Sequence, residues 1–246
     1  HPLSSLALAQ LAQQIHAAGD WVEARKLALQ GLQRFPASRG GIDCFNLVKQ
    51  IEAPELQLAT ERVWAAPWPS IKVTYRNLTK VHFKVVSFDV DAHLKSNRYS
   101  PLQLDENQRR ALLAQPTALR WSADLAATDD YQQKQVELPP QTDLKPGAYY
   151  LIASANEQFT DNNNPIQFCE FWLSNLSIVV RNRHGDGILE GFVLDSRTGD
   201  PLAGADVTLW QRRNNFRTPG PNLKTDANGL FRAENLSGVS ITVDAR

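Results

Sequence analysis

Two cysteines, Cys44 and Cys169, are all that the 246 residues contain. That is too few for a disulfide scaffold. Cys44 falls in a helical stretch and Cys169 in a strand-like one, so one bridge between them and two buried free thiols are both open readings. Methionine is absent, where average composition would supply several. Charge of either sign is missing in the net: 26 Lys and Arg balance 26 Asp and Glu. A neutral chain has no global field to draw in nucleic acid or anionic lipid. No apolar run approaches the roughly 18 residues of a membrane span. No signal peptide is visible, although a chain that starts at His1 is expected to be processed or cut. His-Glu-x-x-His, Gly-x-Ser-x-Gly and phosphate-binding glycine loops are also missing.

What is present can fold. Hydrophobic residues make up 42% and charged residues 21%, and the length suits two or three domains. Leu6, Leu8, Leu11 and Ile15 recur at helical spacing until Gly19-Asp20. Trp21, Ala24, Leu27, Ala28, Gly31 and Leu32 make a second apolar face, closed by Pro36. Small residues at Ala24, Ala28 and Gly31 allow close helix approach. A third helix is expected at about Gly41 to Glu52. The hairpin resembles one tetratricopeptide-type repeat, carried by Leu11, Ile15, Gly19-Asp20-Trp21, Glu23-Ala24, Leu32 and Pro36. A lone repeat cannot bury its own face. It must pack on that third helix, on the next domain or on residues upstream.

After Pro54 the period changes to two. Ile71, Val73 and Tyr75 alternate with Lys72, Thr74 and Arg76, and Val81, Phe83 and Val85 alternate with His82 and Lys84. Pro67 and Pro69 precede the first of these strands. A short helix or polar loop is expected around Leu102 to Gln115. Further strands fit Ala118 to Trp121, Gln135 to Leu138, Gly147 to Ala155 and Pro165 to Val180. Six or seven short antiparallel strands argue a sandwich. A further unit starts near Gly187: strands at Ile188 to Leu194, Ala205 to Trp210, Leu230 to Ala233 and Val239 to Val243, with a hairpin turn at Thr225 to Gly229. The pattern stops mid-way at Arg246, so the natural protein is expected to continue.

The expected fold is therefore mainly β, with an N-terminal α-helical hairpin and immunoglobulin-like β-sandwiches. The expected domains are 1–52 helical, 53–182 a first sandwich, and 187–246 a second sandwich cut short at its C-terminus.

Tempting chemistry has plainer explanations. His82 and His93 flank a presumed strand that carries Asp89 and Asp91, which raises a metal or acid/base site. On a regular strand His82 and Asp89 point to opposite faces, and no nucleophile joins Asp89 and Asp91. Asp161-Asn162-Asn163-Asn164 starts like a calcium loop but lacks the central glycine, and Trp172 stands at the twelfth position. Asp226-Ala227-Asn228-Gly229 reads as a turn. Phe168, Phe171 and Trp172, with Trp64 and Trp68, fit either an exposed platform for sugar or peptide or buried packing, which is the simpler account. No catalytic, cofactor-binding or metal residue is assigned, and no cofactor is expected.

Three segments in order carry a wider resemblance. The first is Gln50-Ile51-Glu52-Ala53-Pro54-Glu55-Leu56 followed by Val73-Thr74-Tyr75-Arg76-Asn77-Leu78-Thr79-Lys80-Val81. The second is Leu144-Lys145-Pro146-Gly147-Ala148-Tyr149-Tyr150-Leu151 followed by Phe171-Trp172-Leu173-Ser174-Asn175-Leu176. The third is Gly191-Phe192-Val193-Leu194-Asp195 with Thr198-Gly199-Asp200-Pro201-Leu202-Ala203-Gly204-Ala205-Asp206-Val207. Together they resemble the N-terminal part, with its macroglobulin domains of the second (MG2) kind, of alpha-2-macroglobulin-like proteins of Bacteroidetes. The third segment also looks like a carboxypeptidase regulatory-like sandwich. In it Thr198-Gly199 turns the chain, Leu202 tucks under the sheet, and Gly204-Ala205 is expected to leave room for a neighbouring strand.

The resemblance implies a proteinase trap that changes shape when its bait is cut. Many members carry a thioester on Cys-x-Glu-Gln. Cys44 is followed by Phe45-Asn46-Leu47 and Cys169 by Glu170-Phe171-Trp172, so neither fits. The expectation is a non-enzymatic scaffold segment, periplasmic or at the cell surface. Its partners would be the other domains of the parent chain and the trapped proteinases, with no nucleic acid and no membrane span. A surface binding module for a partner protein or glycan is the alternative. In a bacterial source the acceptor patterns at Asn77, Asn175 and Asn235 lose their usual glycosylation meaning.

Overall fold

Three helices open the computed structural model, which describes residues 2–96, 103–160, 164–183, 187–213, 216–236, 238 and 240–246. They are α1 (Pro2–Ala17), α2 (Trp21–Arg34) and α3 (Arg39–Glu52). Asp20 and Ser38 start the second and third, because their side-chain oxygens accept the backbone N–H of Glu23 and Gly41, each at 3.0 Å. Ala9, Ala12, Ala24, Ala28, Cys44, Leu47, Val48 and Ile51 form the buried centre of this bundle. The small residues set its spacing: a Cβ added at Gly40 would lie 2.2 Å from the Ser5 backbone. The third helix thus covers the face that the hairpin cannot bury alone.

The first sandwich has two sheets. Strands β1 (Glu55–Ala59), β3 (Ile71–Arg76) and β6 (Lys134–Leu138) form one, in the order β1-β3-β6. The other runs β2-β8-β7-β4-β5, from β2 (Val63–Trp64), β8 (Ile166–Leu173), β7 (Gly147–Ser154), β4 (Lys80–Ser87) and β5 (Thr117–Asp124). Ile71, Val73 and Tyr75 face Val81, Phe83, Val85, Leu151 and Phe171 across the interior, as the alternation predicts. The sandwich is not wholly antiparallel: β2 runs parallel to β8, with Val63 beside Trp172.

Two helices interrupt the strands. Helix α5 (Glu106–Ala114) buries Leu112 against Val86, Tyr150 and Ile152 on the outer face of the five-stranded sheet. Helix α4 (Val90–Ser96) corrects an expectation. Strand β4 ends at Ser87, so Asp89, Asp91 and His93 are not strand residues and the opposite-face argument does not apply to them. Val90, His93 and Leu94 are the buried positions, a spacing of one helical face.

The second sandwich comprises β9 (Leu176–Arg183), β10 (Ile188–Asp195), β11 (Asp206–Arg213), β12 (Phe216–Lys224), β13 (Leu230–Ala233) and β14 (Ser240–Ala245). Its sheets run β13-β10-β9 and β12-β11-β14, closing on Leu189, Val193, Val207, Leu209 and Phe231. Four expectations change here. Residues 165–180 are not one strand: the chain breaks at Ser174-Asn175, and β9 pairs along its length with β10. Strand β12 has no counterpart among the expected strands; it holds Pro219 and Pro221 and lies at a sheet edge, where proline is tolerated. Thr225 to Gly229 does turn, with Gly229 at φ +70°, but β12 and β13 belong to opposite sheets. It is a corner between sheets, not a hairpin. At Gly204 nothing lies within 4 Å of an added Cβ; its φ of +75°, not lack of space, calls for glycine.

Candidate functional site

The residues most tightly engaged outside the three cores lie at two joints. The first joins the helices to the first sandwich. A helix leaves its last carbonyls without intrahelical partners, and here β3 and the residue after it supply donors. Asn77 Nδ2 donates to the carbonyls of Ile51 and Ala53 at 2.7 and 3.0 Å. Arg76 Nη2 donates to the Gln50 carbonyl at 3.3 Å and pairs with the Glu55 carboxylate. Its guanidinium lies 4.5 Å from the Trp21 ring centroid, and the residue is only 3% exposed. A cation suits the negative end of α3. Asn77 holds φ +56°, a left-handed conformation that asparagine tolerates better than most residues, and its own N–H donates to Thr128 Oγ1 at 2.8 Å. Tyr131 packs on the helical core, and Gln132 Nε2 donates to the Gly19 carbonyl at 3.1 Å.

The second joint lies between the sandwiches and is apolar. Trp210 points from the outer face of β11 onto Val90 and Leu94 of α4, ringed by Phe88, Ala148 and Trp172. Its indole Nε1 is buried with no hydrogen-bond partner among the described residues. At the rim Arg246 bonds Asp91 of α4 and Asp244 of β14, at 2.5 and 3.0 Å. Burial pushes the Asp244 carboxyl up and the Arg246 charge opposes that shift, while Asp91 adds to it. A cleft of about 630 Å³ runs alongside, lined by Asp89, Pro146, Trp172, Asn175 and Arg246 among others.

The residues weighed for chemistry have structural tasks. Asp89 Oδ1 accepts the Ala92 N–H at 2.9 Å and so caps α4. Asp91 holds Arg246. His93 is buried beside Phe88, with ring centroids 5.0 Å apart. His82 stays on β4 between Ser154 and Ser122, with its pKa lowered mainly by burial. No group of three or more His, Cys, Asp and Glu suited to a metal occurs among the described residues. Residues 161–163 lie outside the described residues; Asn164 serves the local turn, donating to Ser154 Oγ at 2.9 Å and accepting from the Ala155 N–H at 3.0 Å. Asp226 Oδ1 likewise accepts from Asn228 and Leu230.

The aromatic set divides. Trp64 and Phe171 are fully buried and stack at 3.8 Å, so they cannot be a platform. Trp172 serves the second joint, and Trp68 is 45% exposed. Both cysteines are free. Cys44 sits in the helical core and Cys169 on β8, beside a cleft of about 650 Å³ that also touches Arg62, Tyr150 and Glu170. Burial raises both thiols, which keeps them protonated and weakly nucleophilic. Glu170 is raised by burial too, although Arg62 Nη2 stands 2.9 Å away.

Arg76, Asn77 and Trp210 were not expected at a joint. The one available signal was a tryptophan following Leu209, which marks a strand buried on both faces.

With this geometry in hand, the comparisons bear on the fold. No family model and no curated protein matches the chain. Solved structures do. A fragment of native alpha-2-macroglobulin from Escherichia coli spanning domains NIE-MG1 superposes with a TM-score of 0.58 at 18% identity, over 79% of this chain and 93% of that one. A longer fragment spanning MG0-NIE-MG1 gives 0.54 at 15% identity, over 79% and 64%. The likeness is one of fold. The chain is mainly β, with N-terminal helices followed by macroglobulin-like β-sandwiches.

Proposed function

We propose that this chain is a non-catalytic scaffold segment of an alpha-2-macroglobulin-like proteinase trap, lying toward the N-terminal end of its parent. The three units would be residues 2–52, 53–174 and 175–246. The carrying observation is the extent of the fold likeness: one superposition takes in 79% of this chain and nearly the whole of a two-domain fragment of such a protein. The joints add support. Arg76 and Asn77 bond the end of α3, and Arg246 bonds Asp91 and Asp244 across the sandwiches, which suits a frame that transmits shape change. The aromatic cluster offers little to the glycan-binding alternative, because Trp64 and Phe171 lie inside the core.

A trap works where foreign proteinases arrive, so the reading places the parent in the periplasm or at the cell surface. No helix among the described residues is long and apolar enough to cross a membrane. Partners under this reading are the remaining domains of the parent and the proteinases it encloses. The test uses the full-length parent mixed with a serine proteinase. The expected result is that hydrolysis of a large protein substrate falls while hydrolysis of a small chromogenic peptide persists. Equal loss of both, or loss of neither, removes the trapping role.

A further inference from the structure

Two cations stand directly opposite each other on the outer face of the five-stranded sheet. The register sets Lys84 of β4 against Arg120 of β5, with Ile152 of β7 on the other flank of Lys84. Like charges in that position oppose the pairing. Lys84 is also buried, at 9% exposure, and a buried charge is costly unless it is paired. Among the described residues neither cation forms an ion pair. Lys84 Nζ donates to the Leu113 carbonyl, in the last turn of α5, at 2.7 Å. That helix end accounts for one of three ammonium donors and leaves the opposed arginine unexplained. Arg120 Nη2 bonds the Glu157 carbonyl, and its guanidinium lies 5.6 Å from the Phe159 ring centroid. Burial lowers the Lys84 pKa, and Arg120 lowers it further. The surroundings form a pocket of about 500 Å³, lined by Lys84, Leu113, Thr117, Arg120, Glu157 and Phe159 among others. Two departures from regular backbone shape it. A bulge sets Thr117 opposite the outward-facing Val86. Thr117 therefore shares the face of Arg120, which regular alternation along β5 would deny it. Phe159 holds a left-handed φ of +55°, which a bulky residue rarely takes. Asn156 braces that loop by accepting the Thr160 N–H at 3.2 Å.

We propose that this pocket binds a phosphate-type dianion, bridged between the Lys84 ammonium and the Arg120 guanidinium, with the Thr117 hydroxyl as a further donor. The charge count selects the ligand. Two cations without a carboxylate match a group that carries nearly two negative charges at neutral pH. A guanidinium fork and an ammonium both donate charge-assisted bonds to such oxygens. A metal cation is repelled, and a neutral ligand leaves the opposed charges as they are. Leu113 and Phe159 add apolar walls, so an organic group attached to the phosphate has a surface to lie on. Glu157 is the competing occupant from the chain itself. Its carboxylate acts on His82 nearby but pairs with neither cation. The inference stands apart from the trapping role, because it rests on this pocket alone.

The test titrates the whole chain with inorganic phosphate and with phenyl phosphate near neutral pH, at an ionic strength held constant with sodium chloride. Backbone amide shifts and the melting temperature are read together. Saturable binding is expected, with the shifts centred on residues 117–120 and 157–159 and a rise in melting temperature. Arg120→Gln, at an exposed position, is expected to weaken binding by about tenfold or more while circular dichroism stays unchanged. Glu157→Gln is expected to tighten it. Tighter binding of phenyl phosphate assigns the site to a phosphate carried on an organic molecule, and equal binding assigns it to the free ion. Four results would overturn the proposal: no saturation at about 10 mM phosphate, equal affinity in Arg120→Gln, shifts centred elsewhere, or a lower melting temperature of Glu157→Gln with no gain in affinity, which makes Glu157 the occupant.

Discussion

The two joints solve the same problem with opposite chemistry. The helix–sandwich joint is directional: Arg76 and Asn77 donate to the last carbonyls of α3. Each bond fixes an angle as well as a distance. The sandwich–sandwich joint is mostly area: Trp210, Val90 and Leu94 bury apolar surface, with the Asp91–Arg246–Asp244 cluster at the rim. Apolar contact is non-directional. The helix joint thus fixes orientation through bonds, and the sandwich joint holds mainly through buried apolar area.

The largest expected break is at the apolar joint. Trp210→Ala should cost about 3–5 kcal/mol, since a fully buried ring is lost and a cavity remains. Chemical denaturation should then resolve two transitions where the wild type has one. At the directional joint Arg76→Ala should cost about 1–3 kcal/mol, because it strands a helix-end carbonyl that keeps no partner. Arg76→Lys should not restore it, since an ammonium lacks the planar fork and stacks poorly on Trp21. Asn77→Ala should cost about 1–3 kcal/mol through lost bonds and a left-handed backbone; Asn77→Gly should recover the part of about 1 kcal/mol that is strain. If Asn77→Gly and Asn77→Ala unfold together, the strain component is absent.

The rim gives the next contrast. Burial raises Asp244, so the native state holds that proton at a pH where the unfolded chain has released it. Wild-type stability should therefore fall as pH rises from the ordinary carboxylate range through the raised value, then level off. Asp244→Asn lacks this fall, so its stability relative to wild type should improve with pH across that window. A relative decline would reverse the assignment. The smallest effect belongs to the exposed Arg25–Glu52 pair: Arg25→Ala should cost about 0–1 kcal/mol in the same unfolding measurement.

The alternations of Ile71, Val73 and Tyr75, and of Val81, Phe83 and Val85, announced both layers of the first sandwich before any coordinates did. The break at Gly19-Asp20 and the small residues Ala24, Ala28 and Gly31 of the helical hairpin were equally readable. Three features were hidden for physical reasons. Helix α4 has only seven residues, too few for its period to stand out beside a strand. Strand β12 carries two prolines, which argue against a strand unless it is known to be an edge. The roles of Arg76 and Asn77 depend on helix ends more than twenty residues away in sequence, and no local pattern encodes that meeting. The aromatic cluster was legible as a set, but its division between core and joint was not, because alternation along one strand does not say what covers each face.

Packed joints, and not linkers between independent modules, hold the helices and the two sandwiches in one arrangement. Small-angle X-ray scattering of the wild-type chain and of Trp210→Ala tests it directly. The wild type is expected to match the scattering profile of the single arrangement described here, and the variant to show a larger radius of gyration. A wild-type profile that already requires an ensemble of separated units would contradict the account.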